Sequence, residues 1–155
     1  MKPSFAGHPS AGALTTLLEV NAARGARRLQ VGEHCTIAIP AREAWVPTIF
    51  VEPGEEYLMT ATGWWFDGKH SCGPDGHRSR TLWMRMLKRF RRVRTARWFA
   101  LIGSVGKDDD QPFVIGSSAQ VRITKLGLLL CYGNHVRGFY RGKHGRVTVT
   151  IHRAK

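Results

Sequence analysis

Two kinds of residue in this chain could do chemistry. The first is a run of rings, Trp64-Trp65-Phe66, followed at once by Asp67 and, after Gly68-Lys69, by His70. Flat apolar rings beside polar groups suit the face of a sugar, although alternate members of such a run also fill a core. On a strand the two tryptophans point to opposite sides, so one of them is a candidate ligand-facing surface. The second kind is cationic. Arg78 to Arg97 holds nine Lys or Arg and no Asp or Glu. Arg85, Lys88, Arg89, Arg91 and Arg92, interleaved with Trp83, Phe90 and Trp98, suit a nucleic-acid backbone with stacked bases or another polyanion. An anionic membrane surface is the alternative partner. A third reading is an insertion that docks its Leu82-Met86-Phe90 face on the body and leaves its arginines in water.

Other clusters carry less. His70, Cys72 and His77 are metal-capable side chains in one loop, but zinc needs three or four converging ligands and no second cluster accompanies them. Asp108, Asp109 and Asp110, beside Lys107 and before Pro112, read as a solvated turn. No nucleophile elbow, P-loop or HExxH helix is present. Nothing sets the separation of a carboxylate pair of the kind glycosidases use. The chain is therefore read as a non-enzyme.

Composition sets the frame. At 155 residues the chain is read as a flexible tail, 1–12, and one domain, 13–155. A net charge of +13 implies anionic company: nucleic acid, lipid head groups or acidic polysaccharide. Three widely spaced cysteines, Cys35, Cys72 and Cys131, argue against a disulfide framework and read as buried free thiols. No apolar h-region follows Lys2, and no run reaches the roughly 20 apolar residues of a membrane span. These features place the chain in the cytoplasm.

The elements that must position these residues are short strands. Val46-Pro47-Thr48-Ile49-Phe50-Val51 reads as a strand and Pro53-Gly54 as a turn. Tyr57, Met59 and Ala61 alternate with Leu58, Thr60 and Thr62 in a second strand that runs into the aromatic cluster. The two are read as a hairpin. Leu29 to Gly32, Cys35 to Ile39, Trp98 to Val105, Phe113 to Gly116, Gln120 to Thr124, Leu126 to Tyr132 and Gly145 to His152 read as further strands. Residues 13–23 form either a helix or a strand. Asp67 to His77 and Asn134 to His144 are glycine-rich loops, and long ordered loops are often functional. In 78–97, Leu82, Trp83, Met86, Leu87 and Phe90 share one helical face, which predicts a basic amphipathic helix. The sum is an all-β, antiparallel β-sandwich of the jelly-roll kind with that helix inserted.

In this order the segments resemble the LecA-like (PA-IL) galactose-binding lectins and their galactose-binding-domain-like relatives. The features are Pro53-Gly54-Glu55 before a strand, Gly63-Trp64-x-x-x-Gly68 and Gly73-Pro74-x-Gly76. They continue with a strand ending in Ile102-Gly103 or Val105-Gly106, then Phe113-Val114-Ile115-Gly116, the strand Leu128 to Tyr132, and a final Gly145-x-Val147-x-Val149-x-Ile151. The likeness spans roughly 34–152. It implies a small sandwich, often oligomeric, whose loops at one end bind a sugar through calcium. It also implies that Trp64 is structural; Trp65, pointing the other way if the strand continues, is then the ligand-facing candidate. Asn134 falls where the family carries an aspartate ligand, Lys143 and His144 near its amide or acidic ligands, and Asp67 where it presents a tyrosine carbonyl. Asp67 and Asn134 are thus the candidate calcium ligands. Calcium takes six to eight hard oxygens, and Arg137, Arg141 and Lys143 bring positive charge to the same loop, so a weakened or absent site is expected.

Two functions follow. In the first, loops 64–77 and 133–144 bind a galactose-type or acidic glycan, with Asp67, His70, Asn134 and His135 as polar contacts and Trp65 or Tyr140 as the stacking surface. In the second, the sandwich is a scaffold and the basic segment 78–97 binds a polyanion or nucleic acid.

Overall fold

A computed structural model describes residues 25–107 and 111–155. The expected tail, the 13–23 element and the Asp108-Asp110 turn lie outside the described residues. Among the described residues, nine strands make two antiparallel sheets. One sheet has the order β1 (His34–Pro40), β9 (His144–Arg153), β3 (Glu56–Asp67), β4 (His70–Cys72), with β7 (Ser118–Arg122) also paired to β3. The other runs β2 (Val46–Val51), β8 (Gly127–Gly133), β5 (Leu101–Val105), β6 (Phe113–Val114). The expected sandwich is what the chain forms. No helix among the described residues is long and apolar enough to cross a membrane.

The spine is β3 against β9, a register that runs from Tyr57↔Arg153 to Phe66↔His144. Side chains alternate along β3: Tyr57, Met59, Ala61 and Trp65 are buried while Leu58, Thr60, Thr62 and Trp64 face out. The inner face meets Val147, Val149 and Ile151 of β9, and Leu129 and Cys131 of the other sheet, in one core. Gly63 keeps the ladder tight. Its φ is +115°, and a Cβ there would run into the Arg146 carbonyl.

Three expectations change. β2 and β3 are not a hairpin: β2 pairs with β8 and β3 with β9, so the Pro53-Gly54 turn carries the chain from one layer to the other. Glu55 anchors that crossing. Its buried carboxylate accepts from the Tyr57 hydroxyl at 2.7 Å and the Glu52 amide at 2.8 Å, and pairs with Arg153 at 3.0 Å. The true hairpin is β3–β4, closed by Gly68-Lys69 between Asp67 and His70. Residues 29–32 form no strand.

The third change concerns 78–97. Only Leu82–Leu87 is α-helix (α1), followed by a single 3-10 turn, Lys88–Phe90. Thr81 caps α1 by accepting the Met84 amide at 3.1 Å. The apolar residues Leu82, Trp83, Met86 and Phe90 point to solvent rather than docking. The segment is fastened by other means. Met84 is the buried residue of α1, and Val93 and Ala96 pack on Ala100, Ile102 and Tyr132 in a second small core behind β5 and β8.

The three thiols are buried and unbonded. Burial pushes all three up, Cys72 to about 11 and Cys131 to about 12.

The alternation along β3 makes the two neighbouring tryptophans opposite in consequence. Trp65→Ala should cost about 3–5 kcal/mol in urea unfolding, as for other large core truncations. Trp64→Ala should cost about 0.5 kcal/mol or less. Equal costs would mean that the strand phase is wrong.

Candidate functional site

Three segments meet at one end of the sandwich: the β3–β4 turn, α1, and the loop between β8 and β9. The first and third touch directly, since Lys143 Nζ donates to Asp67 Oδ1 at 2.5 Å. Between the three lies a cleft of about 290 Å³. Trp98, His135 and Met84 are its buried lining residues. Asp67, His70 and Lys143 form a polar corner, and Trp83 and Phe139 stand 64% and 55% exposed at its edge. Thr81, Leu87 and Val136 complete the wall.

The floor rests on stacked rings. Trp65 is 0% exposed, and its indole N–H donates to the Ile39 carbonyl at 3.0 Å. Its ring lies 6.0 Å from Phe99, whose ring lies 5.1 Å from His135. Trp98 meets His135 edge-on at 5.3 Å. Phe99 adopts φ +57°, a left-handed conformation that costs about 1–3 kcal/mol in a residue other than glycine. Gly133 makes room for the stack: a Cβ there would sit 3.2 Å from Phe99 and 3.3 Å from Trp65.

Asn134 fixes the third segment to the second. The Val93 amide donates to its Oδ1 at 3.0 Å, and its Nδ2 donates to the carbonyls of Val93, Ala96 and Arg97 at 2.9, 3.3 and 3.0 Å. Arg92 adds a second tie. Its guanidinium lies 3.3 Å from the Tyr132 ring centre and 4.0 Å from that of Trp45, and donates to the Ala44 carbonyl at 2.6 Å and the Tyr140 hydroxyl at 3.0 Å. Tyr140 in turn donates to the Gly133 carbonyl at 2.8 Å. Arg91 donates to the carbonyls of Lys88 and Arg94 and lies over Trp98 at 5.3 Å.

The candidate residues therefore divide. Asp67, His70 and His135 line the cleft. Trp65, Asn134 and Tyr140 are buried beneath it, so the expected stacking surface and one expected polar contact are scaffold instead. Arg85, Lys88 and Arg89 are exposed, whereas Arg91 and Arg92 are half-buried in their internal contacts. Sequence reasoning missed Lys143 as a lining residue, together with Trp83 and Phe139 as its exposed rings. Phe139 stood in a loop already expected at the rim, whereas nothing in the sequence placed Trp83 and its helix there.

The proposed calcium ligands do not fit the ion as they stand. The Asn134 carboxamide is committed to four backbone groups. Asp67 already faces an ammonium, and calcium would need several further oxygens. His70, Cys72 and His77 do not converge either: the described residues contain no group of three or more His, Cys, Asp or Glu able to hold a metal. His135 Nε2 stands 3.8 Å from Asp67, but burial, then the Lys143 charge, lower its pKa and keep it neutral near pH 7. Burial likewise lowers that of His77.

No family model matches the sequence, and no curated protein matches it. A solved structure described as "EclA N-terminal domain; PllA-like lectin" superposes with a TM-score of 0.58 at 18% identity, covering 76% of this chain and 94% of that one. The two share a fold.

Two outcomes are expected. Asn134→Asp turns a carboxylate toward three carbonyl oxygens and should cost about 2–4 kcal/mol by denaturant unfolding; an unchanged midpoint would refute the four-bond arrangement. His77 and His135 are held neutral when folded, with pKa below the ordinary 6.5, and take up protons once unfolded. Their stabilisation is full above about pH 6.5 and is lost as the pH falls through that value. The slope is about 1.4 kcal/mol per pH unit per imidazole until the folded pKa is reached. Tm measured from pH 8 to pH 5 checks this, and His135→Gln should remove about half of the slope.

Proposed function

We propose that the chain is a lectin-like binding module and that the cleft between the β3–β4 turn, α1 and the β8–β9 loop is its carbohydrate site. The observation that carries the reading is the pairing of exposed Trp83 and Phe139 rings with a polar corner of Asp67, His70 and Lys143 in one cleft. Apolar ring faces beside a few fixed polar groups are what the two sides of a pyranose require. The sandwich shared with a PllA-like lectin domain supports the same reading. Binding, rather than turnover, suits a cleft lined by a single carboxylate, because glycoside hydrolysis ordinarily takes two.

The stacking role passes from Trp65 and Tyr140 to Trp83 and Phe139. Asp67 and His70 keep the hydrogen-bonding role and Lys143 joins them. Recognition does not run through calcium in this reading, because Lys143 supplies Asp67 with its cation. A monosaccharide should bind with a Kd of about 1 mM, and affinity should rise when several copies are displayed.

A second reading, a polyanion site on the scaffold, is favoured by one observation: Arg85, Lys88 and Arg89 are all exposed on one short segment.

A glycan array probed with multivalently displayed protein, with and without chelator, tests the first reading. Binding should survive chelation, and Trp83→Ala should weaken it about tenfold, the upper part of the range for one stacked aromatic contact. Absence of binding to every glycan would overturn the proposal.

A further inference from the structure

We infer that the ligand of this cleft is an acidic saccharide, one bearing a sulfate or carboxylate, rather than a neutral sugar; the inference rests on the carbohydrate reading above. Three observations lead to it.

The first is the balance of donors and acceptors. The carboxylate of the lining, Asp67, has the Lys143 ammonium at 2.5 Å and the His135 imidazole at 3.8 Å. Its charge is met by that ammonium and one of its oxygens is occupied, while the other, beyond hydrogen-bonding distance of His135, stays able to accept. Lys143, His70 and the Thr81 hydroxyl remain as groups able to donate. Sugar hydroxyls donate as well as accept, so a neutral sugar matches this surplus of donors less fully than an anion does. Sulfate and carboxylate oxygens only accept at neutral pH.

The second is charge. Chain neighbours of the lining residues are cations: Arg80 beside Thr81, Arg85 beside Met84, Lys88 beside Leu87, and Arg137 beside Val136. Arg80, Arg85, Lys88 and Arg89 are exposed, and none of them makes an ion pair among the described residues. Segment 78–97 contains no acid that could neutralise them. Exposed cations on the segment that supplies Trp83 to the cleft raise the local potential and concentrate anions near it.

The third is the division of labour within the basic segment. Arg91 and Arg92 are consumed by carbonyls and rings. α1 nevertheless turns Trp83 outward, and that ring lines the cleft from the same segment that carries Arg85, Lys88 and Arg89. One short element thus presents a stacking face together with anion-binding side chains. A ring-shaped ligand carrying its own negative charge satisfies both.

The test compares a neutral oligosaccharide with its sulfated counterpart of the same backbone, and with a single-stranded RNA of matched charge, by calorimetry at about 50 and 200 mM salt. The full chain, the double variant Lys88→Gln/Arg89→Gln and Trp83→Ala are measured in parallel. The sulfated saccharide should bind about tenfold or more tightly than the neutral one, the contribution of one charge-assisted hydrogen bond. The double variant should lose that preference and keep the neutral affinity, and Trp83→Ala should weaken both saccharides. Equal affinity for the two saccharides would overturn the acidic-ligand inference and leave the carbohydrate site standing. Binding of neither would overturn both. RNA binding as tight as that of the sulfated saccharide, or sulfated binding indifferent to Trp83→Ala, would overturn the inference in favour of a non-selective polyanion surface.

Discussion

Everything at the open end of the sandwich hangs on one carboxamide. Asn134 is fully buried, and its side chain ties the first residue after β8 to the backbone of 93–97 through four hydrogen bonds. That tie works with the Arg92, Val93 and Ala96 side chains and with backbone bonds from Arg92 to His135 and between His77 and Trp98 to hold the segment after α1 on the outer face of β5 and β8. The cleft exists because this segment is pinned there. It places Trp98 against His135, and it delivers α1 to the rim with Met84 inward and Trp83 outward. A buried amide with every valence engaged is a strong positional constraint, since any displacement strands several polar groups at once.

The same constraint explains why a basic segment can sit on a basic protein. Its inner arginines do not face other cations. Arg92 lies against the rings of Tyr132 and Trp45, and its guanidinium finds oxygen on Ala44 and Tyr140. Quadrupoles and carbonyls thus meet part of the repulsion locally. Only the outer arginines and lysines remain to interact with anything else. At the polar corner Lys143 acts in the same way on a small scale. It gives Asp67 a positive neighbour from within the chain, in the region where the resemblance to calcium lectins would have put an ion.

Much of this was readable from residues alone, and the failures have physical causes. The sandwich follows from period-2 patterns and turn chemistry, whereas the meeting of the tryptophan-rich turn with the late glycine-rich loop was implied by the family resemblance. The inward and outward tryptophans were also readable. Counting by twos from Tyr57 through Met59 and Ala61 reaches Trp65, so the strand phase itself sends Trp65 to the core; the family likeness suggested the reverse. The β2–β3 turn misled because two consecutive strands joined by Pro-Gly look the same whether they pair or cross between layers. What distinguishes them is Glu55, a buried acid whose ion-pair partner Arg153 lies far away in sequence. Helical periodicity over 82–90 was real, but tertiary contacts at Met84, Arg92 and Val93 decide which side faces inward. The roles of Asn134 and Arg92 had no local signal, because each depends on groups some 40 residues distant.

The fate of the three thiols has a practical side. With pKa values near 11 and 12, Cys72 and Cys131 hold roughly one ten-thousandth or less of their sulfur as thiolate at neutral pH, and Cys35 is shifted the same way. None is positioned at the surface to meet an oxidant. In its cysteines the folded molecule thereby has no bond to lose under reducing conditions and no exposed thiol to cross-link in air. It can be handled, stored and displayed on a support without reductant.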